Sequence, residues 1–358
     1  MISDQQCSCP QVGEWMKGKQ IGSGSFGTVH LAMNKSTGSL FVVKSAVSDA
    51  GVEALQNEAS ILESLDSPYI VQCLGRDFLK ERNGRQTLDI FMEYMTEGSL
   101  SDVAEKFGGT LDSEVVRLYT REILHGLKFL HGNGIVHCDL KCKNVLLKSN
   151  GNVKLADFGC AKRLKDFKRN GDLTTFSWQS VGGTPLWMAP EVLRNEGLDF
   201  TSDIWSLGCL VIEMATGRLP WGDKISNLLT AVLKIACSSE KPQFPADFPE
   251  EGLDFLEKCL ERNPKERWTA EELLNHPFIS QNFVKNPSEK CVCSPSSVLD
   301  VGTIEEDYDS DESDSTKNNE LHQKNPFSTR LCGRKTRMVT LQEPETEFWS
   351  SEDWITVR

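Results

Sequence analysis

Three short runs carry the residue types that could handle phosphate and its counter-ions. His137-Cys138-Asp139-Leu140-Lys141-Cys142-Lys143-Asn144 supplies a carboxylate, a cation and an amide within six residues. Asp139 can accept the proton of an attacking hydroxyl, Lys141 can neutralise charge on a transferring phosphoryl group, and Asn144 can ligate Mg²⁺ through its side-chain oxygen. Asp157-Phe158-Gly159 follows the apolar approach Val153-Lys154-Leu155-Ala156 and delivers a second carboxylate at a glycine hinge. Mg²⁺ favours such oxygen ligands. Gly22-Ser23-Gly24-Ser25-Phe26-Gly27-Thr28-Val29 fits G-x-G-x-x-G-x-V, where missing side chains let backbone N–H groups approach phosphates closely. On its own that run fits a flexible surface turn as well.

The glycine run is neither of two better-known phosphate loops. A dinucleotide fold needs a helix directly after the glycines and an acid about 20 residues on. Here a strand follows, and the charged residue at that distance is Lys44. A Walker A loop needs Lys-Ser/Thr after the last glycine, where this chain has Thr28-Val29. Lys44 ends the apolar run Leu40-Phe41-Val42-Val43, so its ammonium needs a carboxylate. Glu58, fourteen residues later on a predicted helix, can fix the lysine so that it holds α- and β-phosphates. Read singly, each fits an exposed, solvated charge better. Farther on, Glu191 of Ala189-Pro190-Glu191 and Arg267 suit a buried pair that would be structural and not catalytic.

The elements that must position these groups follow from periodicity. A hairpin meander is expected at the start: Gln20-Ile21, the glycine loop, a strand Thr28–Met33, a turn Asn34–Gly38 and a strand Leu40–Lys44. A helix carrying Leu55, Glu58, Leu62 and Leu65 follows, then a strand Asp89–Met95. After Gly98 the pattern turns helical. Val116, Tyr119, Ile123, Leu127 and Leu130 form one apolar stripe behind Asp112 as N-cap, and Asp203–Met214 is apolar nearly all round, as a core helix is. A β-rich lobe joined to an α-rich lobe leaves a cleft, where ligands bind.

The 358 residues suggest about two structural units. A composition of 39% hydrophobic and 25% charged residues excludes collagen-like, wholly disordered and disulfide-scaffold classes. A formal charge of -13 argues against nucleic acid as a partner. No apolar run reaches membrane-spanning length, and neither an export signal nor a lipid-anchor motif is readable, so a soluble, cytoplasmic protein with access to the nucleus is expected. The twelve cysteines are read as reduced thiols, and the pairs Cys7/Cys9 and Cys291/Cys293 lack zinc spacing. Residues 15–279 form the expected folded body after an extension at 1–14. From 280 to 358 an acidic, disordered regulatory or docking tail is expected, with seven carboxylates between Glu305 and Asp314.

Taken in order, Gly22–Val29, Lys44, Glu58, His137–Asn144, Asp157–Gly159, Ala189–Glu191, Asp203 and Arg267 resemble the eukaryotic protein kinases over about three quarters of the chain. Lys141 and Thr184 resemble the serine/threonine branch. Gly183-Thr184-Pro185-Leu186-Trp187-Met188-Ala189-Pro190-Glu191-Val192, with Trp15–Lys19 and the short tail, is similar to the MEKK-type MAP kinase kinase kinases, above all the compact plant members. The resemblance implies a bilobal α+β fold, with a small antiparallel-β N-lobe (about 15–95) bearing one main helix and a larger helical C-lobe (about 96–279). It implies ATP and Mg²⁺ as cofactors, catalysis by Asp139, Lys141, Lys44 and Glu58, and metal ligation by Asn144 and Asp157. Nucleotide would be held by Ile21, Gly22, Ser23, Gly24, Ser25, Phe26, Gly27, Thr28, Val29 and Lys44 and by the backbone of Glu93 to Met95, behind a gatekeeper Met92. Asp203 would hold the catalytic loop from the central helix.

The implied substrate is the activation-loop Ser/Thr of a MAP kinase kinase in a stress-signalling cascade. The competing class is a pseudokinase or scaffold that binds nucleotide and partners without phosphoryl transfer. One departure stands out: the family usually has arginine where this chain has Cys138, and a thiol cannot pair with an activation-loop phosphate. Ordering of residues 160–183 is therefore expected to depend less on phosphorylation, with Thr174, Thr175, Ser177 and Ser180 as candidate modified sites. Cys160 reads either as an electrophile-reactive thiol or as a packed, inert one. In the tail, Arg334–Leu341 resembles a docking peptide of MAP kinase cascade members, and equally fits a nuclear-import signal or a basic cluster with no role; upstream regulators would act through the tail.

Overall fold

Strands β1 (Trp15–Gly24), β2 (Gly27–Asn34) and β3 (Leu40–Ala46) form the meander that the opening segment predicts. The β2–β3 turn closes on Asn34, whose Oδ1 accepts from the amides of Ser36 (2.9 Å) and Thr37 (3.1 Å), with Gly38 in the left-handed region. This is a computed structural model describing residues 15–24, 27–46, 48–80, 86–165, 182–222 and 227–280. The extension at 1–14, the tail from 281 and the four candidate modified residues between 174 and 180 lie outside the described residues. So do both cysteine pairs and the basic cluster of the tail. The chain divides into two units, and every described residue lies in the first; the second is Phe283–Trp349.

Two more strands, β4 (Cys73–Lys80) and β5 (Gln86–Glu93), complete a five-stranded antiparallel sheet in the order β1-β2-β3-β5-β4. Strand alternation gives the sheet two apolar faces. One carries Ala32, Phe41, Val43 and Phe91 under Trp15, whose ring meets Phe41 and Phe91 edge-on at 6.0 and 5.7 Å. The other carries Val42, Ile90 and Met92 into the main core, where helix α1 (Asp49–Leu62) covers it with Leu55, Ala59, Ile61 and Leu62. The Ser48 hydroxyl caps α1 at the Gly51 amide (3.1 Å).

Beyond β5 the chain forms β6 (Gly98–Ser99), α2 (Leu100–Lys106) and α3 (Ser113–Gly132). Asp112 caps α3 as predicted, and Val116, Ile123, Leu127 and Leu130 of the stripe are buried. Short strands β7 (Ile135–Val136), β8 (Val145–Leu147), β9 (Val153–Leu155) and β10 (Lys162–Arg163) then present the loops between them. Helices α4 (Pro190–Leu193), α5 (Phe200–Thr216), α6 (Leu228–Cys237), α7 (Glu250–Cys259), α8 (Ala270–Leu274) and α9 (Pro277–Ser280) complete the helical lobe. Helix α5 is its axis, with Ile204, Trp205, Leu207 and Leu210 wholly buried. Among the described residues no helix is long and apolar enough to cross a membrane.

Candidate active site

The β1–β2 hairpin brings its glycines over a cavity of about 490 Å³, a size that takes a nucleotide. Ile21, Ser23, Gly24, Gly27 and Val29 line it. Gly22 and Thr28, expected beside them, belong to the hairpin but not to the cavity wall. Ser25 and Phe26 lie outside the described residues. The glycines have distinct uses. A Cβ at Gly24 would meet nothing within 4 Å, which leaves that backbone open to a ligand, whereas a Cβ at Gly27 would stand 2.2 Å from the Ser45 carbonyl oxygen.

Lys44 enters from β3, in register with Val29 on one side and Ile90 on the other. Its Nζ donates to Glu58 Oε2 at 2.6 Å and to Asp157 Oδ1 at 2.8 Å. Glu58 is 1% exposed, so the pairing from α1 is a buried one. Burial alone would lower Lys44; Asp157 and Glu58 outweigh it and hold the amine charged. Burial likewise works to raise Asp157, but Lys44 beside it brings the carboxyl down to about 2. Asp157 sits in the left-handed region (φ 62°, ψ 75°), a conformation worth about 1–3 kcal/mol of strain in a non-glycine residue and one that aims its carboxylate at Lys44.

The catalytic loop hangs from α5. Asp203, 1% exposed, accepts the amides of His137 (2.9 Å) and Cys138 (3.0 Å), with His131 Nε2 a further 3.0 Å neighbour. These two amide bonds fix Cys138 at φ 68°, again left-handed. From the loop so held, Asp139 meets three partners. Lys141 Nζ donates to Oδ2 (3.0 Å), Thr184 Oγ1 donates to Oδ1 (2.7 Å), and Asn144 Nδ2 donates to both Oδ2 (2.9 Å) and the backbone oxygen (2.7 Å). Lys141 also donates to Thr184 at 2.6 Å. Because Asn144 bonds through its amide nitrogen, its oxygen is left for a cation, and with the Asp157 carboxylate it makes a hard oxygen pair suited to a divalent metal. Glu93 and Met95 line the opposite wall beside Met92. The Glu93 side chain is drawn outward by Lys148, Lys154 and the Gln72 amide, which outweigh burial and lower its pKa.

Every predicted catalytic and metal residue therefore faces one cavity: Lys44, Glu58, Asp139, Lys141, Asn144 and Asp157. Cys160 lines it too, but it is buried, and burial with the nearby Asp139 and Asp157 pushes its thiol up to about 12, which favours the inert reading. Two functional residues were not legible as such. Thr184 marks a branch in the sequence, yet nothing in it shows the hydroxyl reaching Asp139. Glu213 accepts the Cys142 amide (3.2 Å) and Trp187 Nε1 (3.0 Å), tying the catalytic loop to the segment after Thr184. The available signal was a second carboxylate, ten residues after Asp203, on the largely apolar α5.

A two-lobed α+β fold with an ammonium, two acids and an amide around a glycine-roofed cleft defines a protein kinase, and residues 15–279 match the protein kinase domain family. Mitogen-activated protein kinase kinase kinase 17 of Arabidopsis thaliana is 44% identical over 269 residues, which cover 75% of this chain and 70% of that protein. Mitogen-activated protein kinase kinase kinase 18 of the same plant is 39% identical over 359 residues, 96% of this chain and 99% of that protein. In Homo sapiens, mitogen-activated protein kinase kinase kinase 3 is 42% identical over 271 residues, 74% of this chain and 42% of that protein. The chain belongs to the MAP kinase kinase kinase family of serine/threonine protein kinases.

Proposed function

We propose that the chain moves the γ-phosphoryl group of Mg²⁺-bound ATP onto a Ser/Thr hydroxyl of a MAP kinase kinase. The observation that carries this is the convergence of Lys44, Asp139, Asn144 and Asp157 on one cavity under the glycine hairpin. The glycine backbone and Lys44 bind the phosphates, and the backbone from Glu93 to Met95 takes the base. Asn144 and Asp157 would hold the metal, which when bound would neutralise the triphosphate charge. Asp139 orients the attacking hydroxyl and takes its proton as the new O–P bond forms and the bond to the ADP oxygen breaks, while Lys141 offsets charge on the group in transit. The Asp139–Lys141–Thr184 cluster joins to the catalytic aspartate the two residues on which the serine/threonine resemblance rests, and so supports that assignment.

The substrate tier rests on the names of the relatives, and the metal on the oxygen donor set. Cytoplasm and nucleus are the compartments where such a substrate is met, a point that fractionation of a tagged protein tests. For the reaction, purified protein with labelled ATP and a kinase-dead MAP kinase kinase is expected to label the latter on Ser/Thr. Asp139→Asn and Asp157→Asn should each stop transfer, and Mg²⁺ should restore activity after chelation more fully than Ca²⁺. Nucleotide binding without transfer under all these conditions would favour the scaffold alternative.

A further inference from the structure

We propose that Asn57 and Arg163 are positioning residues that hold α1, and through it Glu58 and Lys44, in the transfer-competent place without a phosphorylated side chain. The inference deepens the kinase reading and rests on it. Helix α1 ends without a basic residue in its last turn, so its C-terminal carbonyls lack a cation of their own. Arg163 of β10 supplies one, with its guanidinium donating to the Ser60 carbonyl (3.2 Å) and the Ser64 hydroxyl (2.8 Å). One turn earlier, Asn57 Nδ2 donates to the Ala161 carbonyl at 3.0 Å. Between them the Phe158 amide reaches Glu58 Oε1 at 3.3 Å. The helix bearing the partner of Lys44 is thus attached at three points to residues 158–163.

What those residues are attached to gives the device its meaning. Strand β10 pairs antiparallel with β7, Lys162 opposite Val136 and Arg163 opposite Ile135. Strand β7 runs straight into His137, Cys138 and Asp139. A continuous path therefore leads from the catalytic base through β7 and β10 to α1 and Lys44, made of backbone pairing and side-chain bonds alone. On this path Cys138 stands where the family usually has an arginine. Its thiol turns back to the Val136 carbonyl (3.6 Å), and it carries no positive charge. The register of a two-strand ladder and one arginine on a helix end take the place of an arginine–phosphate contact.

The test uses full-length protein treated with phosphatase, with initial rates on a generic Ser/Thr protein substrate measured before autophosphorylation accumulates. Unmodified protein is expected to retain most of its rate after phosphatase. Arg163→Met and Asn57→Leu are each expected to lower kcat about tenfold, the size of one lost charge-assisted or buried hydrogen bond. KM for ATP should stay within about twofold, and Arg163→Lys should restore most of the rate, which a merely structural role would not produce. Thermal midpoints within a few degrees of the unmodified protein would show that the variants fold, and Asn57→Ser gives a milder variant for the same readout. Loss of activity on phosphatase treatment would overturn the proposal. So would variants whose kcat stays within twofold, or whose kcat and stability collapse together in all four substitutions. Failure of the MAP kinase kinase assignment is separable, because it would appear as activity on the generic substrate with none on the kinase kinase.

Discussion

Replacing Lys44 does more than remove a phosphate ligand, because the ammonium neutralises two carboxylates of unequal exposure. Glu58 is 1% exposed and would be left as an uncompensated buried charge, whereas the Asp157 side chain is 41% open to the cleft. Lys44→Met is therefore expected to abolish transfer and to destabilise by about 3–5 kcal/mol. Asp157→Asn should abolish transfer with a much smaller change in unfolding midpoint. Parallel activity and denaturation measurements distinguish the two. The same cluster sets a pH signature. Asp157 is held at about 2 against an ordinary 3.8, so its contribution to stability is present above pH 4 and is lost as pH falls from 4 toward 2. Lys44 is raised from 10.5, so its contribution is present below that value and is lost only as pH rises beyond it. Urea midpoints should accordingly show an acid-side loss between pH 4 and 2 that Asp157→Asn diminishes. Cys160 makes a separate case: with its thiol pushed up to about 12, it should resist iodoacetamide at pH 7.5 in the native protein while the exposed Cys237 is alkylated. Peptide mapping showing equal labelling would contradict this.

At the scale of elements, the pair Glu191–Arg267 joins α4 to the segment before α8 with two bonds of 2.7 and 3.0 Å, and Arg267 is 3% exposed. Arg267→Leu strands the carboxylate and is expected to cost about 3–5 kcal/mol, lowering the thermal midpoint by on the order of 10 °C. Glu191→Gln, which keeps a hydrogen-bonding group, should cost less, and calorimetry of the two variants orders them. This pair was legible in the sequence because both residues sit in motifs of the resemblance. So were α3, whose amphipathic stripe and Asp112 cap agree, and α5, whose all-round apolarity marks it as core. Other features follow from contacts that no local pattern contains. Strand β4 was not foreseen, since Gly75, Arg76 and Asp77 interrupt its apolar pattern and it is an edge strand with a bulge between Cys73 and Gly75. Strand β5 stops at Glu93 and not at Met95, because the chain leaves the sheet there to pass between the lobes. Helix α1 ends at Leu62, short of Leu65, and β1 continues to Gly24 through the expected loop. Thr184 and Asp139, 45 positions apart, meet only once the C-terminal lobe is folded.

Over the whole molecule the charge is unevenly placed: residues 281–358 hold 15 acidic and 9 basic side chains, so about a fifth of the chain supplies nearly half of the net -13. None of the groups assigned to chemistry lies there. The folded lobe closes just before it, at α9. Arg121 of α3 donates to the Ile279 carbonyl, and His276 Nε2 lies 2.9 Å from Asp254 Oδ2. The Phe278 ring packs at 5.4 Å against both Phe248 and Phe255, and Ile279 is fully buried. Truncation should therefore be tolerated or not within a few residues. A chain ending at Asn282 keeps all of these contacts and is expected to retain kcat on a generic substrate within about twofold, with an unchanged thermal midpoint. A chain ending at Asn275 loses His276, Phe278 and Ile279. Deleting the buried Phe278 and Ile279 side chains costs about 3–5 and about 2–5 kcal/mol, which together approach the total stability of a typical domain. That shorter protein should be largely unfolded at 37 °C by circular dichroism and inactive. If the Asn282 form were also inactive while remaining folded, the tail would have to contribute to the catalytic domain itself and not only to partner choice.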